Sequence, residues 1–420
     1  MDHYQTYVDI INEELMPAMG CTEPIALAYC AALVKDTLKS LPNKVDIKVS
    51  GNILKNVKSV VVPHTNKMQG IKAAVGIGIL GGDSSKELEV IAHVKQEVVD
   101  KLPAYLNETT MNVETSDNEH TLYIEITGYA NNNKATAIIL DSHTHVYLIS
   151  YNDEIIVKNE KKIKKNESTI DKNVLNVKQI IEFANIVKIE DVKETLDRQI
   201  SYNMAIAKEG INNNYGANIG KTLLKYGKDD IVQYCKALAA AASDARMNGC
   251  EMPVVINSGS GNQGITCSVP VIAYAKKTNK DKEKLYRALV VSNLVTTHIK
   301  NSIGKLSAFC GVVIAGTGCG AGVAYLEGGQ EREINHTIVN SLAIISGVVC
   351  DGAKSSCAAK IASSVEAGIL GYYMFKEGNQ FLSGEGIVKK GVENTINAVG
   401  KLATVGMCET DKEIIHIMLK

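Results

Sequence analysis

The sequence predicts an α+β protein: N-terminal helices and a mixed, mostly antiparallel α+β domain precede a large, all-helical domain. Apolar residues recur at helical spacing near the N-terminus, alternate between residues 43 and 158, and return to helical spacing from about residue 173. We therefore expect three parts. Residues 1–42 form N-terminal helices that pack on the helical domain and carry Cys21, residues 43–160 form the α+β domain, and residues 173–420 form the helical domain.

Two helices are predicted in the first 40 residues. The first ends before Pro17 and Gly20, which interrupt the apolar repeat. The second begins at Thr22-Glu23-Pro24. Thr22 is the predicted N-cap, Glu23 favours the positive end of the helix, and Pro24 loses no needed donor in a first turn.

In the α+β part, alternation and short apolar runs predict strands, and longer repeats predict helices. The expected strands lie near 45–49, 60–62, 122–126, 135–140, 145–150 and 154–157, and the expected helices are 69–80 and 86–102. The lysine-rich segment Lys158–Lys172 is interpreted as a solvated linker or surface turn.

The C-terminal part is expected to be almost entirely helical. Predicted helices cover residues 174–187, 189–209, 229–247, 281–297, 334–346 and 385–400. Glycine-rich breaks are expected at 257–264, 316–322 and 347–352. Backbone groups freed at such breaks need partners, and a ligand or cofactor is one candidate.

Composition excludes several classes of protein. The chain has 420 residues, 45% hydrophobic and 22% charged, with a formal net charge of −1. No basic field attracts nucleic acid or an anionic membrane. Residues 252–275 and 308–326 lack charged side chains, but their polar and glycine-rich backbone is unsuited to lipid. The acidic Met1-Asp2 start does not resemble a secretory signal, so we expect a cytoplasmic protein.

Ten cysteines in a chain without a secretory signal are expected to be reduced. Cys350 and Cys357 are seven residues apart, which on one straight helix is a rise of about 10.5 Å and too far for one small metal centre. Gly347 and Asp351-Gly352 offer a break that would bring the two thiols together. The spacing by itself is neither a zinc-ribbon nor a ferredoxin pattern.

Two further cysteines stand at positions typical of function. Cys310 precedes Gly311, whose unhindered backbone allows close approach to a metal centre, and Cys319 is an alternative ligand. Cys21 lies at the predicted positive end of the second helix, where a thiol pKa is lowered and a thiolate can act as base or nucleophile. A buried, inert thiol is the competing interpretation of each.

The polar run Asn257–Gly264 contains backbone and side-chain groups that can hold a carboxylate or phosphate. It matches neither a Walker nor a dinucleotide fingerprint, and a polar turn between helices explains it equally well. The nine histidines show no zinc-binding spacing. His64 is a candidate cleft residue to which no role is assigned.

In combination these motifs resemble the L-cysteine desulfidases, which are related to the α-domain of bacterial iron–sulfur L-serine dehydratases. The resemblance rests on the segment from Gly20 to Ala26, the loop from Ser258 to Gly264, Cys310-Gly311, and the pair Cys350 and Cys357, and it spans about residues 10–405. Serine dehydratases of this kind end in a cysteine that can occupy the cluster. This chain ends His416-Ile-Met-Leu-Lys420, which favours the desulfidase branch.

The resemblance implies a [4Fe-4S] cluster held by Cys310, Cys350 and Cys357, with one iron open to substrate. Cys21 matches the proposed catalytic base. The implied reaction is the oxygen-sensitive release of sulfide from L-cysteine, leaving pyruvate and ammonia. The expected partner is a small amino acid that serves as substrate. No nucleic acid or membrane is expected to bind. Whether the protein forms a homo-oligomer is left open. The candidate substrate-binding residues are Thr22, Glu23, Ser258, Ser260, Asn262 and Gln263.

Three alternatives remain open at this stage. The same elimination can act on L-serine or another β-substituted amino acid, because pocket shape decides between hydroxide and sulfide as leaving group. A non-enzymatic iron–sulfur redox sensor would use the same cysteine ligands while Cys21 is incidental. A pyridoxal-phosphate lyase performs the same reaction, but no lysine context indicates a Schiff base.

Overall fold

The computed structural model describes residues 3–116, 118, 120, 122–159, 170–227, 229–304 and 307–419. It confirms the α+β fold class, with a six-stranded sheet, a two-stranded sheet and many helices. The predicted linker Lys158–Lys172 lies largely outside the described residues, which omit 160–169. The division into three domains stays a prediction.

The N-terminal and α+β parts contain these elements: α1 Tyr4–Glu14, β1 Pro17–Met19, α2 Thr22–Leu38, β2 Lys44–Val49, α3 Gly51–Val57, α4 Gly70–Gly81, α5 Gln96–Val99, α6 Leu102–Glu108, β3 Thr110–Thr115, β4 Tyr123–Ala130, β5 Asn133–Leu140, β6 Val146–Tyr151 and β7 Glu154–Lys158. The expected helix 86–102 is wrong. That range contains only the end of a short 3₁₀ turn, Ser84–Glu89, the four-residue α5 and the first residue of α6.

The remaining elements are these: α7 Val177–Ile186, α8 Glu190–Asn212, α9 Ile219–Lys225, α10 Ile231–Met247, β8 Pro253–Val255, α11 Gly261–Lys277, α12 Lys282–Ile303, α13 Gly311–Leu326, α14 Glu331–Ile345, α15 Cys357–Lys376, α16 Val392–Lys401 and α17 Cys408–Leu419. Each expected helix of this part has a counterpart with shifted ends.

The large sheet has the strand order β3-β2-β4-β5-β6-β7. Among the described residues β2 and β3 form the only parallel pair of this sheet, so the expectation of a mostly antiparallel sheet is confirmed. Strand β3 was not predicted from the sequence. The expected strand at 60–62 is wrong, because Val61 forms only an isolated bridge to Gln69.

The two N-terminal helices pack on different parts of the molecule. Helix α1 contacts α8 and α12, as expected for a segment packing on the helical part. Helix α2 instead packs on α4 and on β4 and β5, and its buried residues belong to the core of the sheet. The expectation that all of residues 1–42 pack on the helical part is therefore wrong for α2. Its apolar residues encircle the helix, so they are buried on both sides.

The expected break at 316–322 is also wrong, since α13 runs through it without interruption. The glycines there serve close packing. A Cβ atom at Gly316 would lie 2.3 Å from the carbonyl oxygen of Ser364, and one at Gly320 would lie 2.3 Å from that of Gly368. Both partners belong to α15. Without side chains at these positions, the backbones of α13 and α15 pack in direct contact, which no larger residue allows.

No helix among the described residues is long and apolar enough to cross a membrane. The first uncharged window contains β8 and most of α11, and the second contains α13. The residues of both helices are almost completely buried within the helical part. Their apolar character is therefore explained by burial against neighbouring helices.

Replacing Gly320 with alanine is expected to destabilise the protein by about 1–3 kcal/mol, because the new Cβ atom overlaps a backbone carbonyl that cannot rotate away. The urea-unfolding midpoint measures this change. Gly347→Ala is the matched control, because a Cβ atom there meets nothing within 4 Å. Equal stability of the two variants would contradict the packing role of Gly320.

Candidate functional site

Cys310 and Cys350 lie side by side because two short segments pair with each other. An isolated antiparallel bridge joins the residues that precede the two cysteines. The Cys310 amide donates to the Val348 carbonyl at 3.1 Å, and the Cys350 amide donates to the Ala308 carbonyl at 2.6 Å. Cys310 is also the N-cap residue of α13, so this pairing places Cys350 at the start of that helix.

Cys357 reaches the same region as the first residue of α15. The chain is not helical between Ile345 and Cys357, so the expected break between the two cysteines is present. Gly352 adopts φ of 95° in this loop, and the Cys357 thiol donates to its carbonyl oxygen at 3.6 Å. The loop folds back, and the charges of Cys310, Cys350 and Cys357 interact with one another.

The three thiols differ electrostatically. The Cys310 thiol donates a hydrogen bond to Cys350, which lowers the pKa of Cys350 below its usual range and raises the pKa of Cys310. The ammonium groups of Lys55 and Lys360 further favour the Cys350 thiolate. Burial raises the pKa of Cys357. The nearby lysines therefore favour negative charge at Cys350.

Three lysines from different elements surround the cysteines. Lys55 on α3 is 2% exposed and acts on Cys350. Lys360 on α15 donates to the Val349 carbonyl at 2.8 Å. Burial lowers the pKa of Lys300, on α12, to about 8, against the opposing effect of Cys350 and Cys310. Sequence analysis did not single out any of these lysines, because their sequence neighbours give no sign of the distant cysteines.

These residues can be compared with what an iron–sulfur cluster requires. Among the described residues, no group of three or more His, Cys, Asp or Glu side chains is placed to hold a single metal ion. A [4Fe-4S] cube spreads its ligands more widely, because each thiolate binds a different iron. The site supplies three cysteines and nearby cations, the donor type and charge that an anionic cluster needs. The cluster itself stays a prediction.

Cys319, the alternative ligand, lies elsewhere. It is fully buried in the middle of α13, about 13 Å along the helix from Cys310. Its charged form would interact with Cys235 and Cys267, which are also fully buried, rather than with the cysteines of the site. The structure therefore assigns Cys319 to the packing of the helical core.

Cys21 comes to the cysteine site from the N-terminal part of the chain. It is the N-cap residue of α2, is 5% exposed, and packs with Val60 and Met247 in a small cluster that Cys357 also contacts. Arg246 on α10 holds this segment in place by donating to the Gly20 carbonyl at 3.0 Å. The structure thus brings the expected base next to one of the expected ligands.

The expectation of a lowered thiol pKa at Cys21 is wrong. Burial raises the pKa of Cys21 to about 11, although the guanidinium of Arg246 opposes this effect. The carboxylate of Glu23 raises it further. Desolvation of the buried thiol outweighs both the favourable end of α2 and the guanidinium of Arg246.

Glu23 lies in the first turn of α2 as predicted, and substrate binding by Thr22 and Glu23 stays a prediction. The N-cap position belongs to Cys21, so the prediction that Thr22 is the N-cap is wrong. The Thr22 hydroxyl donates to the Glu23 carboxylate at 3.3 Å, and Asn56 donates to the same carboxylate at 3.3 Å. Thr22 also lines a cleft, whereas Glu23 fastens the start of α2 to α3.

Of the four expected residues of the polar loop, Ser258 and Ser260 bond within the loop, whereas Asn262 and Gln263 contact residues of the cysteine site. The Ser258 hydroxyl donates to Asn257, and Ser260 is the N-cap of α11, where it accepts from the Gln263 amide at 3.4 Å. Asn262 accepts from Arg246 at 3.2 Å. The Gln263 side chain packs against Gly311, the neighbour of Cys310, and its buried carbonyl oxygen has no hydrogen-bond partner.

A network of buried amides fixes the position of this loop. Asn203 accepts from the Val255 amide at 2.8 Å and donates to the Gly264 carbonyl at 3.3 Å. Asn257 donates to Asn293, which exchanges hydrogen bonds with Gln199. Buried amides pair in this way because an unpaired one costs free energy. The loop is consequently a rigid part of the site.

A cleft of about 310 Å³ opens beside Cys21. Gly20 and Thr22 line it, together with His64 and Glu251 and several apolar side chains. His64, an expected cleft residue, adopts φ of 53° and contacts Glu251 at 3.4 Å. The residues that line the cleft come from the N-terminal, α+β and helical parts of the chain.

Arg246 is the main residue that sequence analysis missed. Its Nε atom is buried and has no hydrogen-bond partner, and a Cβ atom at Gly261 would lie 2.3 Å from it. The sequence did contain a signal that could have drawn attention to Arg246. Arginine is rare in this chain, with only four among its 45 lysine and arginine residues. Arg246 also lies in the last turn of an alanine-rich helix, two residues before Asn248-Gly249, where the chain leaves α10.

Comparison with known proteins identifies the class of this protein. The family model of the serine dehydratase alpha chain matches residues 85–416. This match covers most of the chain, including Cys310, Cys350 and Cys357. The protein therefore belongs to the serine dehydratase alpha-chain family, in agreement with the resemblance noted from the sequence.

Its relatives include proteins designated UPF0597 from several bacteria. One from Desulfitobacterium hafniense is 57% identical over 417 residues, which is 99% of this chain and 97% of that protein. One from Lachnoclostridium phytofermentans is 47% identical and covers 99% of this chain and 100% of its own length. One from Treponema denticola is 43% identical, with 99% and 98% covered. The similarity therefore includes the N-terminal segment with Cys21.

Proposed function

We propose that this protein is a cytoplasmic L-cysteine desulfidase, a lyase that converts L-cysteine and water to pyruvate, ammonia and hydrogen sulfide. Cys310, Cys350 and Cys357 would hold a [4Fe-4S] cluster with one open iron. The observation that carries the proposal is the convergence of these three cysteines from separate elements beside Cys21, with Arg246 in contact. Membership in the serine dehydratase alpha-chain family supports a lyase that eliminates a β-substituent.

When bound, the cluster would supply a Lewis acid at the open iron, which stabilises the departing sulfur. The protein's own residues have the remaining tasks. Cys21, placed beside Cys357, is the candidate acceptor of the Cα proton. Its buried thiol must first lose its own proton, and the guanidinium of Arg246 favours that loss. Removal of the Cα proton and departure of sulfide leave aminoacrylate, which tautomerises and hydrolyses to pyruvate and ammonia.

Arg246 and Gln263 are the candidate contacts for the substrate's polar groups. The buried Nε–H of Arg246 has no acceptor, and a substrate carboxylate would supply one. The buried carbonyl oxygen of Gln263 lacks a donor, which a substrate ammonium group would supply. Both side chains belong to the walls of the cysteine site. Unpaired polar atoms in a buried site are costly unless a ligand pairs with them.

The second candidate is L-serine dehydration at the same site, which the family's description favours. The two reactions differ only in the group that leaves. For this chain we rank cysteine first, because the segment from Gly20 to Ala26, Cys310-Gly311 and the pair Cys350 and Cys357 resemble the motifs of the L-cysteine desulfidases.

Anaerobically reconstituted protein is expected to release sulfide and pyruvate in equal amounts from L-cysteine, and air is expected to inactivate it. The measurement compares kcat/KM for L-cysteine with that for L-serine. A larger kcat/KM for L-serine would show that the protein is a serine dehydratase and not a cysteine desulfidase. Absence of turnover with both amino acids would reject the proposed function.

Changing any of Cys310, Cys350 and Cys357 to alanine is expected to abolish iron binding and turnover together, because each would supply one thiolate. Iron and acid-labile sulfide per chain are the measurements. Cys319→Ala is the matched control, because Cys319 lies on α13, the helix that Cys310 caps. This variant is expected to keep its iron. Retention of iron by all three site variants would end the ligand assignment.

Arg246→Lys is expected to raise KM for L-cysteine roughly tenfold to a hundredfold, the cost of one hydrogen bond to a charged group. The cluster spectrum should be unchanged. Arg332→Met, which replaces an exposed arginine, serves as control. A fall in kcat with unchanged KM would show that Arg246 acts on Cys21 and not on the substrate carboxylate.

A further inference from the structure

Lys55 is a buried cation at the boundary between the α+β part and the cysteine site. Its side chain is 2% exposed, although lysine is almost never buried without a charged partner. The partner is Asp411 on α17, with 2.6 Å between the ammonium nitrogen and the carboxylate. Asp411 is 23% exposed, so the lysine is the buried member of the pair. Burying its ammonium costs desolvation free energy, so the position of Lys55 needs an explanation beyond stability.

The other side of Lys55 touches the loop that carries Cys350. A Cβ atom at Gly352 would lie 2.0 Å from the Lys55 carbonyl oxygen, and Gly352 adopts φ of 95°. Only glycine permits both the close contact and this backbone conformation. The Lys55 ammonium also interacts with the charge of Cys350, two residues earlier. Helix α3 is therefore packed directly against the cysteine loop.

Helix α17 contacts α3 at more than one point. The Ile415 side chain packs on Gly51, where a Cβ atom would lie 2.5 Å from it. The Lys58 ammonium donates to the Met418 carbonyl. Residues 51, 55 and 58 are four and three positions apart, so they share one face of α3. The C-terminal helix is consequently docked along the face that presents Lys55.

We infer that Lys55 is a positioning residue of the cysteine site, and that the C-terminal helix holds it there through Asp411. Its buried positive charge offsets the negative charge of the thiolates and of the cluster they would bind. The inference rests on the proposed function for the cluster, whereas the docking of α17 is independent of it. The C-terminal helix, which contributes no ligand, thus becomes part of the site.

Lys55 differs from the other two lysines by its origin. Lys360 lies on α15 and is paired with Asp351 inside the cysteine loop, and Lys300 lies on α12, which packs directly on α13. Both belong to the helical part. Lys55 alone of these three comes from the α+β part, so it makes the charge at the site depend on the docking of α3 and α17.

The test compares Lys55→Met, Lys55→Arg and Asp411→Asn after anaerobic reconstitution. Lys55→Met is expected to lose iron to a chelator roughly 10–100-fold faster, the usual effect of removing a group that supports metal ligands. Its cluster midpoint potential should fall, because a positive charge stabilises the reduced cluster. Lys55→Arg keeps the charge, so it should retain the wild-type rate of iron loss and midpoint potential. Asp411→Asn should lie between the wild type and Lys55→Met in both.

The matched control is the exposed pair of Glu409 and Lys412 on the same helix, where Glu409→Gln should behave like the wild type. A wild-type rate of iron loss and potential in Lys55→Met would overturn the inference. Equal losses in Lys55→Arg and Lys55→Met would also overturn it, because they would indicate packing rather than charge.

Hydrogen exchange of the metal-free protein separates this inference from the proposed function. Asp411→Asn is expected to increase exchange at residues 408–419 and also at residues 351–356, and Glu409→Gln is expected to change neither. If the wild type binds no iron, the proposed function fails. Hydrogen exchange alone then decides whether the docking of α17 is coupled to the cysteine loop. Unchanged exchange at 351–356 would then refute the coupling of the C-terminal helix to the cysteine loop.

Discussion

The site depends on one constraint, the contact between the backbones of α13 and α15. Gly316 and Gly320 allow this contact by presenting no side chain to Ser364 and Gly368. Two helices packed so closely have their N-termini fixed relative to each other, and each N-terminus carries a cysteine of the site. The bridge between residues 309 and 349 then adds the third cysteine. Helix packing thus sets the distances between the thiols.

Burial dominates the electrostatics of these cysteines. Desolvation raises the pKa values of Cys21 and Cys357, and the favourable position of Cys21 at a helix start does not overcome it. Opposing charges come from Arg246 for Cys21 and from Lys354 and Lys360 for Cys357, whereas Lys55 acts on Cys350. Lys55 and Arg246 are each held by a defined partner, Asp411 and the Gly20 carbonyl respectively. Cations from distant parts of the chain therefore lie beside the buried cysteines.

The site is assembled from all three parts of the molecule. The N-terminal segment contributes Cys21, the helical part contributes the three cysteines and the polar loop, and the α+β part contributes Lys55 and one wall of the cleft. The sheet therefore helps to position the site, because α2 packs on β4 and β5 and α3 contacts β2. The cleft is lined by residues from separate elements, so any movement between these elements would alter its shape.

The sequence by itself determined the fold class, most of the helices and the alternating strands, because apolar periodicity is a local property that burial preserves. It also singled out Cys21, Cys310, Cys350 and Cys357 through their glycine-rich and polar neighbours. Tertiary structure decided the rest. Residues 316–322 look like a break in sequence but form a helix, since glycine there serves packing with α15. Arg246, Lys55 and Asp411 became part of the site only when the chain folded, because their partners are far away in sequence. The raised pKa of Cys21 was equally invisible, since enclosure by distant residues, and not the local helix start, controls its charge.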